Sequence, residues 1–407
     1  MSLSISSQIL SLPGQRVKQV QHDVDRQRLT IACTRDRRFR VLDPTNNKPA
    51  SINCYRRRTI RDLPLCGWDC HLEIELVQVV SSTGRRLLEA ADFVDKGSRY
   101  TARFCRMVSG LCRHMSISTV ARHLKLRWET VKNMDKVYLE TTLPALDPSQ
   151  LKGHKYLGVD EVKGHDYMTV IYDMVSGHLI GVETGRTAAV FSTFLKCLPS
   201  ETAANIEAVA MDMGPAYQKS VRESLPNADI VFDRFHVMQN YSKAIGNQRR
   251  IEYRKANRAD KELMKGTHYL LLKNADKLNE TQTEKLQKLL DDNVNLNTLY
   301  VLKEQLQALW QAETIEDMQA SLEQWCLLAD ETNMLYLKKF AESLRRHQKG
   351  ICNYAKYKLT SARIEAGNVS IGMIRKRARG IKDTDYFKLK IRQSSMPDDQ
   401  SMFYTAQ

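Results

Sequence analysis

The chain has 407 residues, more than one hydrophobic core normally organises, so two to four structural units are expected. Lys and Arg number 62 against 47 Asp and Glu, and the resulting net charge of +15 favours a polyanionic partner such as nucleic acid. An anionic membrane surface would also attract such a chain, but no apolar run of about 18 residues and no cleavable N-terminal segment is present. A soluble cytoplasmic protein associated with the nucleoid, and no membrane partner, is therefore expected.

Residues 1–95 mix short β-rich runs, such as 72–80, with arginine clusters at Arg35, Arg37, Arg38 and Arg40 and at Arg56, Arg57 and Arg58. They read as a small basic module. Nine cysteines are scattered along the chain from Cys33 to Cys352, which speaks for reduced thiols and against a secreted disulfide framework. Cys66, Cys70 and His71, with Cys33 and Cys54, are zinc-ligand types, yet the three-residue gap in C-G-W-D-C is unusual. Ordinary buried thiols, without structural zinc, are expected.

The pattern turns helical over 96–143, and 116–136 reads as a helix-turn-helix. Ala121 supplies the small residue where the helices cross, and Val131 anchors the second helix. Leu124, Leu126 and Met134 complete the seam. Arg127, Trp128, Lys132 and Asn133 then face outward, where a recognition helix meets a DNA groove. Lys125 occupies the turn position where glycine is commoner. The competing reading is a plain helical hairpin acting as a spacer, and the basic charge favours DNA contact.

Turn formers in 143–153 mark a linker. Beyond it, 156–162, 166–173 and 178–184 read as strands, 188–198 as a helix, 206–212 as a strand, 216–225 as a helix and 228–233 as a strand. A long helix follows Phe235, giving the order βββαβαβα. No proline occurs between Pro226 and Pro397, and Thr281 with Glu284 and Thr314 with Asp317 look like capping boxes. Residues 240–358 are therefore expected to be helical, with Trp310, Leu322, Trp325 and Leu335 in their core. A last helix spans about 362–379. The expected division is 154–239 for the first part of an α/β domain, 240–358 for a helical insertion, 359–392 for the closing helix and 393–407 for a tail.

Within this domain Asp160 in G-V-D-E and Asp212 in V-A-M-D-M each follow a continuous apolar run, as expected at the ends of strands covered on both faces. Carboxylates fixed on neighbouring strand ends can hold two cations about 3.5 to 4 Å apart and stabilise an in-line phosphoryl displacement. The stretch between the two acids fits a three-strand meander plus one crossover helix. For a third acid Glu161, Asp173, Asp233 and Glu365 are all available. Helical phase favours Glu365, because Asn368, Gly372, Arg375 and Arg379 follow it along one stripe while Ile364, Ile371, Ile374 and Ala378 line another. Guanidinium groups on the carboxylate's stripe would grip neighbouring phosphate oxygens. The bland alternative is an amphipathic surface helix with solvated charges.

The strings Y-L-G-V-D-E, V-A-M-D-M, I-V-F-D-R-F-H-V and S-A-R-I-E-A-G-N, in this order, resemble the bacterial insertion-sequence transposases of the ISL3 group of the DDE superfamily. The resemblance covers most of 155–392. It implies an RNase H-like catalytic domain interrupted by the helical insertion. It also implies a triad of Asp160, Asp212 and Glu365 binding two Mg²⁺ ions, with Mn²⁺ able to substitute. Asp233 and His236, in D-R-F-H, match the family as well; they are read equally as a helix cap with a satisfied histidine and as residues beside the active site, where Asn368 would join them. Members of the group carry two C-x-x-C pairs ahead of the helix-turn-helix. Here Asp36, Val80 and Thr83 stand at such positions, so a metal-free basic module contacting DNA is expected. The implied activity is cleavage at terminal inverted repeats and transfer of the freed 3′-hydroxyl to target DNA, by a homodimer or larger assembly on double-stranded DNA. The alternatives are an inactive, transposase-derived DNA-binding protein and an RNase H-like nuclease.

Overall fold

The computed structural model describes residues 10, 12–81, 84–274, 277–360 and 362–396, and Arg363 by its backbone alone. The start of the basic module, Thr83, Ser361 of the fourth motif and most of the expected tail lie outside the described residues. The chain divides into two compact units, one running to Leu143 with Met396, the other spanning Pro144–Ser395.

The first unit opens with a five-stranded sheet of β1 (Gln15–Asp23), β2 (Arg28–Arg35), β3 (Ser51–Arg61), β4 (Asp69–Val80) and β5 (Arg86–Leu88), in the order β1-β2-β4-β3 with β5 also on β4. Central strand β4 alternates strictly where it is half-covered, so Cys70, Leu72, Ile74 and Leu76 are buried with Ile31 and Ile60. Edge strand β3 is exposed on both faces along most of its length, and Arg56 and Arg57 stand in solvent there; such charges also protect an open edge from pairing with another chain. Arg58 donates to the Ser98 carbonyl at 2.7 Å.

Helices α1 (Ala102–His114), α2 (Ile117–His123) and α3 (Trp128–Thr142) follow. Ser116 starts α2 by accepting the Thr119 amide. The turn into α3 places Lys125 at φ 53, a left-handed position it fills without glycine. Val120, Ala121, Leu124, Val131 and Met134 bury against Phe104 and Val108 of α1, so the seam read from the sequence is the core of a three-helix cluster. Arg61 ties sheet and helices together: its guanidinium bonds Asp69 at 2.6 Å and the Leu124 carbonyl at 2.8 Å, and lies over the Phe104 ring.

In the second unit β6 (Tyr156–Lys163), β7 (Tyr167–Asp173) and β8 (Leu179–Thr184) form an antiparallel meander; β9 (Ala208–Met211) and β10 (Asp229–Phe232) add in parallel on its other side, in the order β10-β9-β6-β7-β8. Crossovers run through α4 (Ala188–Lys196), the short α5 (Ser200–Asn205), which the sequence reading did not anticipate, and α6 (Pro215–Ser224). One face of the sheet buries Leu157, Val159 and Ile171 against Phe191, Phe194 and Val221 of these crossovers. The other buries Val170, Tyr172 and Ala210 beneath α15 (Ala362–Ala378) and α16 (Thr384–Ser394).

Between β10 and α15 the described residues are almost wholly helical, beginning with α7 (Arg234–Lys255) and continuing through α8 (Arg258–Met264), α9 (His268–Leu272), α10 (Glu280–Asp292), α11 (Val294–Ala308), α12 (Ile315–Glu331), α13 (Leu335–Arg346) and α14 (Gln348–Tyr357). Trp310, Leu322 and Trp325 are buried here, and the Trp325 indole donates to the Leu302 carbonyl. Two local expectations fail. Leu335 is 56% exposed because it opens α13, and Met334 and Leu337 are the residues that bury. The box opening α10 is Asn279 with Gln282, two residues before the Thr281–Glu284 pair suggested by the sequence, since asparagine is a stronger N-cap than threonine.

Candidate active site

The pairing register builds the site. Parallel β6 and β9 match Leu157 with Val209 and Gly158 with Ala210; the next same-facing positions are Asp160 and Asp212. Parallel β9 and β10 end with Met211 beside Phe232, which leaves Asp212 and Asp233 as the next neighbours. Asp160 does not end its strand as expected: β6 runs on to Lys163 because its antiparallel partner β7 keeps pairing after β9 has stopped. The acid therefore stands on rigid backbone at the point where its flank opens.

Gly158, Asp160 and Val162 share the face under α15. A Cβ on Gly158 would fall 2.6 Å from Ile364 Cδ1 and closer still to Met174 Sδ; one on Gly367 would fall 2.9 Å from Tyr172 Cζ. These two glycines let the helix lie on the strands. One turn beyond Ile364, the Asn368 amide donates to Asp160 Oδ2 at 2.7 Å, while Asp160 Oδ1 accepts the Glu161 amide at 2.7 Å. Asp212 Oδ1 accepts the Gly214 amide at 2.8 Å, and a Cβ on Gly214 would strike that carboxylate.

Burial pushes the Asp160 carboxyl above the usual carboxylate range, and the nearby Asp212 charge adds to the rise; the Glu161 amide, His236 and Asn368 pull it back. Burial likewise raises Tyr217 to about 12, with Glu161, Asp160 and Asp212 contributing; its hydroxyl shares a hydrogen bond with Thr169. Tyr217 escaped the sequence reading, although its place five residues after Asp212, in the first turn of the helix following M-G-P, was a usable signal.

Asp233 caps α7 by accepting the Phe235 amide, and His236 Nε2 lies 3.9 Å from Asp233 Oδ2. Glu365 is half-buried on α15, just under one turn before Asn368. Among the described residues, no three His, Cys, Asp or Glu side chains are gathered closely enough to hold one metal ion. The donor set nevertheless suits a hard divalent cation: oxygen ligands, two adjacent acids whose mutual repulsion a cation would relieve, and an Asn368 carbonyl oxygen that is buried without a hydrogen-bond partner among the described residues. Arg375 donates to the Lys163 carbonyl, bracing α15 against the end of β6, and Arg379 is exposed just past the helix at φ 52.

Residues 157–391 match the family model described as "Transposase", of the DDE type, and residues 89–138 match that of the helix-turn-helix domain of transposase family ISL3. The chain belongs to this family. Among its relatives, a transposase for insertion sequence element IS1001 of Bordetella parapertussis is 31% identical over 342 residues, 82% of this chain and 84% of the relative. A transposase for insertion sequence element IS1557 of Mycobacterium tuberculosis is 25% identical over 337 residues, 76% of this chain and 75% of the relative.

The helix-turn-helix match of this ISL3-family chain takes in α1, α2 and α3 as far as Tyr138. Arg127, Trp128 and Asn133 are exposed, Trp128 by 47%, and Lys132 lies 5.9 Å over the Trp128 ring. In the preceding sheet Cys33 and Cys70 are buried thiols, raised by burial to about 11 and about 12, whereas Cys66 is exposed. Among the described residues no helix is long and apolar enough to cross a membrane.

Proposed function

We propose that the chain binds the terminal inverted repeats of its insertion sequence and catalyses divalent-cation-dependent DNA cleavage and strand transfer. Asp160, Asp212 and Glu365 would hold the cations on an RNase H-like domain into which the helices between β10 and α15 are inserted. The observation that carries this reading is the half-buried Asp160: it shares a strand register with Asp212 and is hydrogen-bonded to Asn368, on the helix that bears Glu365.

When bound, Mg²⁺ or Mn²⁺ would supply Lewis-acid stabilisation of the phosphoryl oxygens and a more acidic attacking hydroxyl. The chain's own residues do the positioning. The Glu161 and Gly214 amides and the Asn368 side chain fix how the two aspartates present their oxygens. Asp233 sets the start of α7 and with it His236, which pulls the Asp160 carboxyl down. Arg56, Arg57 and Arg58 of the edge strand, Arg127, Trp128, Lys132 and Asn133 of the helix-turn-helix, and Arg375 and Arg379 are the proposed DNA contacts. The pairing of two element ends asks for at least a dimer.

The test is to incubate the full chain with Mg²⁺ and DNA bearing the inverted repeats that flank its gene. Cleavage at the repeat boundary, and joining of pre-cut ends to target DNA, are expected; hydrolysis without joining would reassign the chain as a nuclease.

A further inference from the structure

Beside β10, the outermost strand of the catalytic sheet, lies a cleft of about 240 Å³ that the acid cluster does not use. Phe232 and Ile230 form its floor. Gln218 and Arg222 of α6 line one wall, and Arg346 and Lys349, at the junction of α13 and α14, line the other. The cleft is built from rigid parts: a Cβ on Gly350 would fall 2.5 Å from the Phe232 ring, so α14 packs directly on the strand.

Both sides of the cleft are tied to residues next to the acids in the chain. Gln218 Nε2 donates at 2.9 Å to the carbonyl of Met213, the residue after Asp212, and Phe232 immediately precedes Asp233. Phe232 lies beside Met211, so by strand alternation the cleft opens on the face of the sheet opposite Ala210 and the acids, beyond edge strand β10.

The rim is cationic beyond what its own acid can satisfy. Arg222, Arg346 and Lys349 are all exposed. The Arg346 guanidinium makes no hydrogen bond or ion pair among the described residues, and Arg222 has a 3.4 Å contact to Gln218. Asp229, the acid in the cleft, is shared by Lys349 at 3.9 Å, Lys356 at 3.5 Å and the Tyr357 hydroxyl at 2.9 Å. Scattered surface cations would be merely solvated. These surround a concave, partly apolar space, which concentrates their field, and the first turn of α14 adds the positive end of a helix dipole.

We propose that this cleft binds the phosphodiester backbone of DNA through Arg222, Arg346 and Lys349. The assignment rests on the DNA-cleaving function proposed above and adds a contact surface outside the helix-turn-helix.

The test compares the full chain with Arg222→Ala/Arg346→Ala/Lys349→Ala, measuring binding to terminal-repeat DNA across a salt series. Each lost phosphate contact should lower the slope of log affinity against log salt by about 0.9, so the triple variant should lose about two to three from the slope. Its affinity near physiological salt should fall roughly tenfold or more. The variant Arg222→Lys/Arg346→Lys, which keeps both charges, should retain most of the slope. Matching thermal melts would show that the fold survives.

A wild-type chain that binds DNA while the triple variant keeps the same slope and affinity overturns the cleft assignment alone. A wild-type chain that binds no DNA overturns both proposals. Unchanged DNA binding with altered self-association in sedimentation would assign the cleft to a second copy of the chain instead.

Discussion

Gly158→Ala probes the link between packing and chemistry without touching an acid. The added methyl would stand 2.6 Å from Ile364 Cδ1, and ordinary contact begins at 3.4 Å, so helix and strand must separate or two packed side chains must turn. Ile364 and Met174 are 4% and 7% exposed, which leaves them little room to turn. Overpacking of this kind costs about 1 to 3 kcal/mol. If α15 takes up the displacement, the 2.7 Å Asn368–Asp160 bond stretches to about 3.5 Å, at the limit of a hydrogen bond. Losing a bond to a charged, half-buried partner adds about 1.5 to 3 kcal/mol. Urea unfolding of wild type and variant measures the first effect, and Mg²⁺-dependent end cleavage the second. The expected result is a lower urea midpoint and cleavage reduced by roughly tenfold to a hundredfold, with end binding by the helix-turn-helix retained. A variant with unchanged midpoint and cleavage would refute the argument that this close approach sets the Asp160 geometry.

Asp160→Asn should raise thermal stability at neutral pH, because folding holds the wild-type carboxyl above its unfolded value. The sign follows from proton binding: the native state holds the extra proton, so wild-type stability falls as pH rises from the unfolded value through the raised native one, and the variant's advantage should vanish in acid. Divalent cation should raise the wild-type melting temperature and leave that of Asp160→Asn nearly unmoved; equal shifts in both would count against cation binding at this site. His71, held near pKa 4 by burial with Arg28 and Arg61 adding to the drop, should make the protein lose stability as pH falls from about 6.5 towards 4, since the unfolded chain takes up the proton first. His71→Gln should flatten that limb of a melting-temperature profile, and an unaltered limb would place the acid sensitivity elsewhere. Lys132→Ala with Asn133→Ala should weaken end binding and lower its salt slope while leaving the melting temperature within error; unchanged binding would return α3 to a spacer role.

The βββαβαβα order of the second unit was legible because its strands are continuous apolar runs separated by turn residues, and because Pro226 and the capped helix at Asp233 punctuate the chain. The helix-turn-helix was legible through Ala121 and Val131, which now sit in one core. What escaped depends on partners distant in the sequence. Asp160 was expected at a strand end, yet how far β6 continues is decided by β7, and no local feature of G-V-D-E reports it. Leu335 is apolar and in helical phase, but as the first residue of α13 it has no turn beneath it to pack on, so it stays exposed. The roles of Gly158, Gly214 and Gly367 could not be read at all, since each answers to particular opposing side chains. Asn368 was placed near the acids by helical phase, while its bond to Asp160 awaited coordinates.

Glu365 supplies the most direct test of the central claim, because it is the acid of the proposed triad whose position the strand register does not fix. Glu365→Gln should keep its affinity for terminal-repeat DNA and lose Mg²⁺-dependent cleavage and joining by roughly a thousandfold or more, on the scale seen when a group acting with others at a reaction centre is removed. Cleavage and joining within tenfold of wild type would contradict the three-acid account.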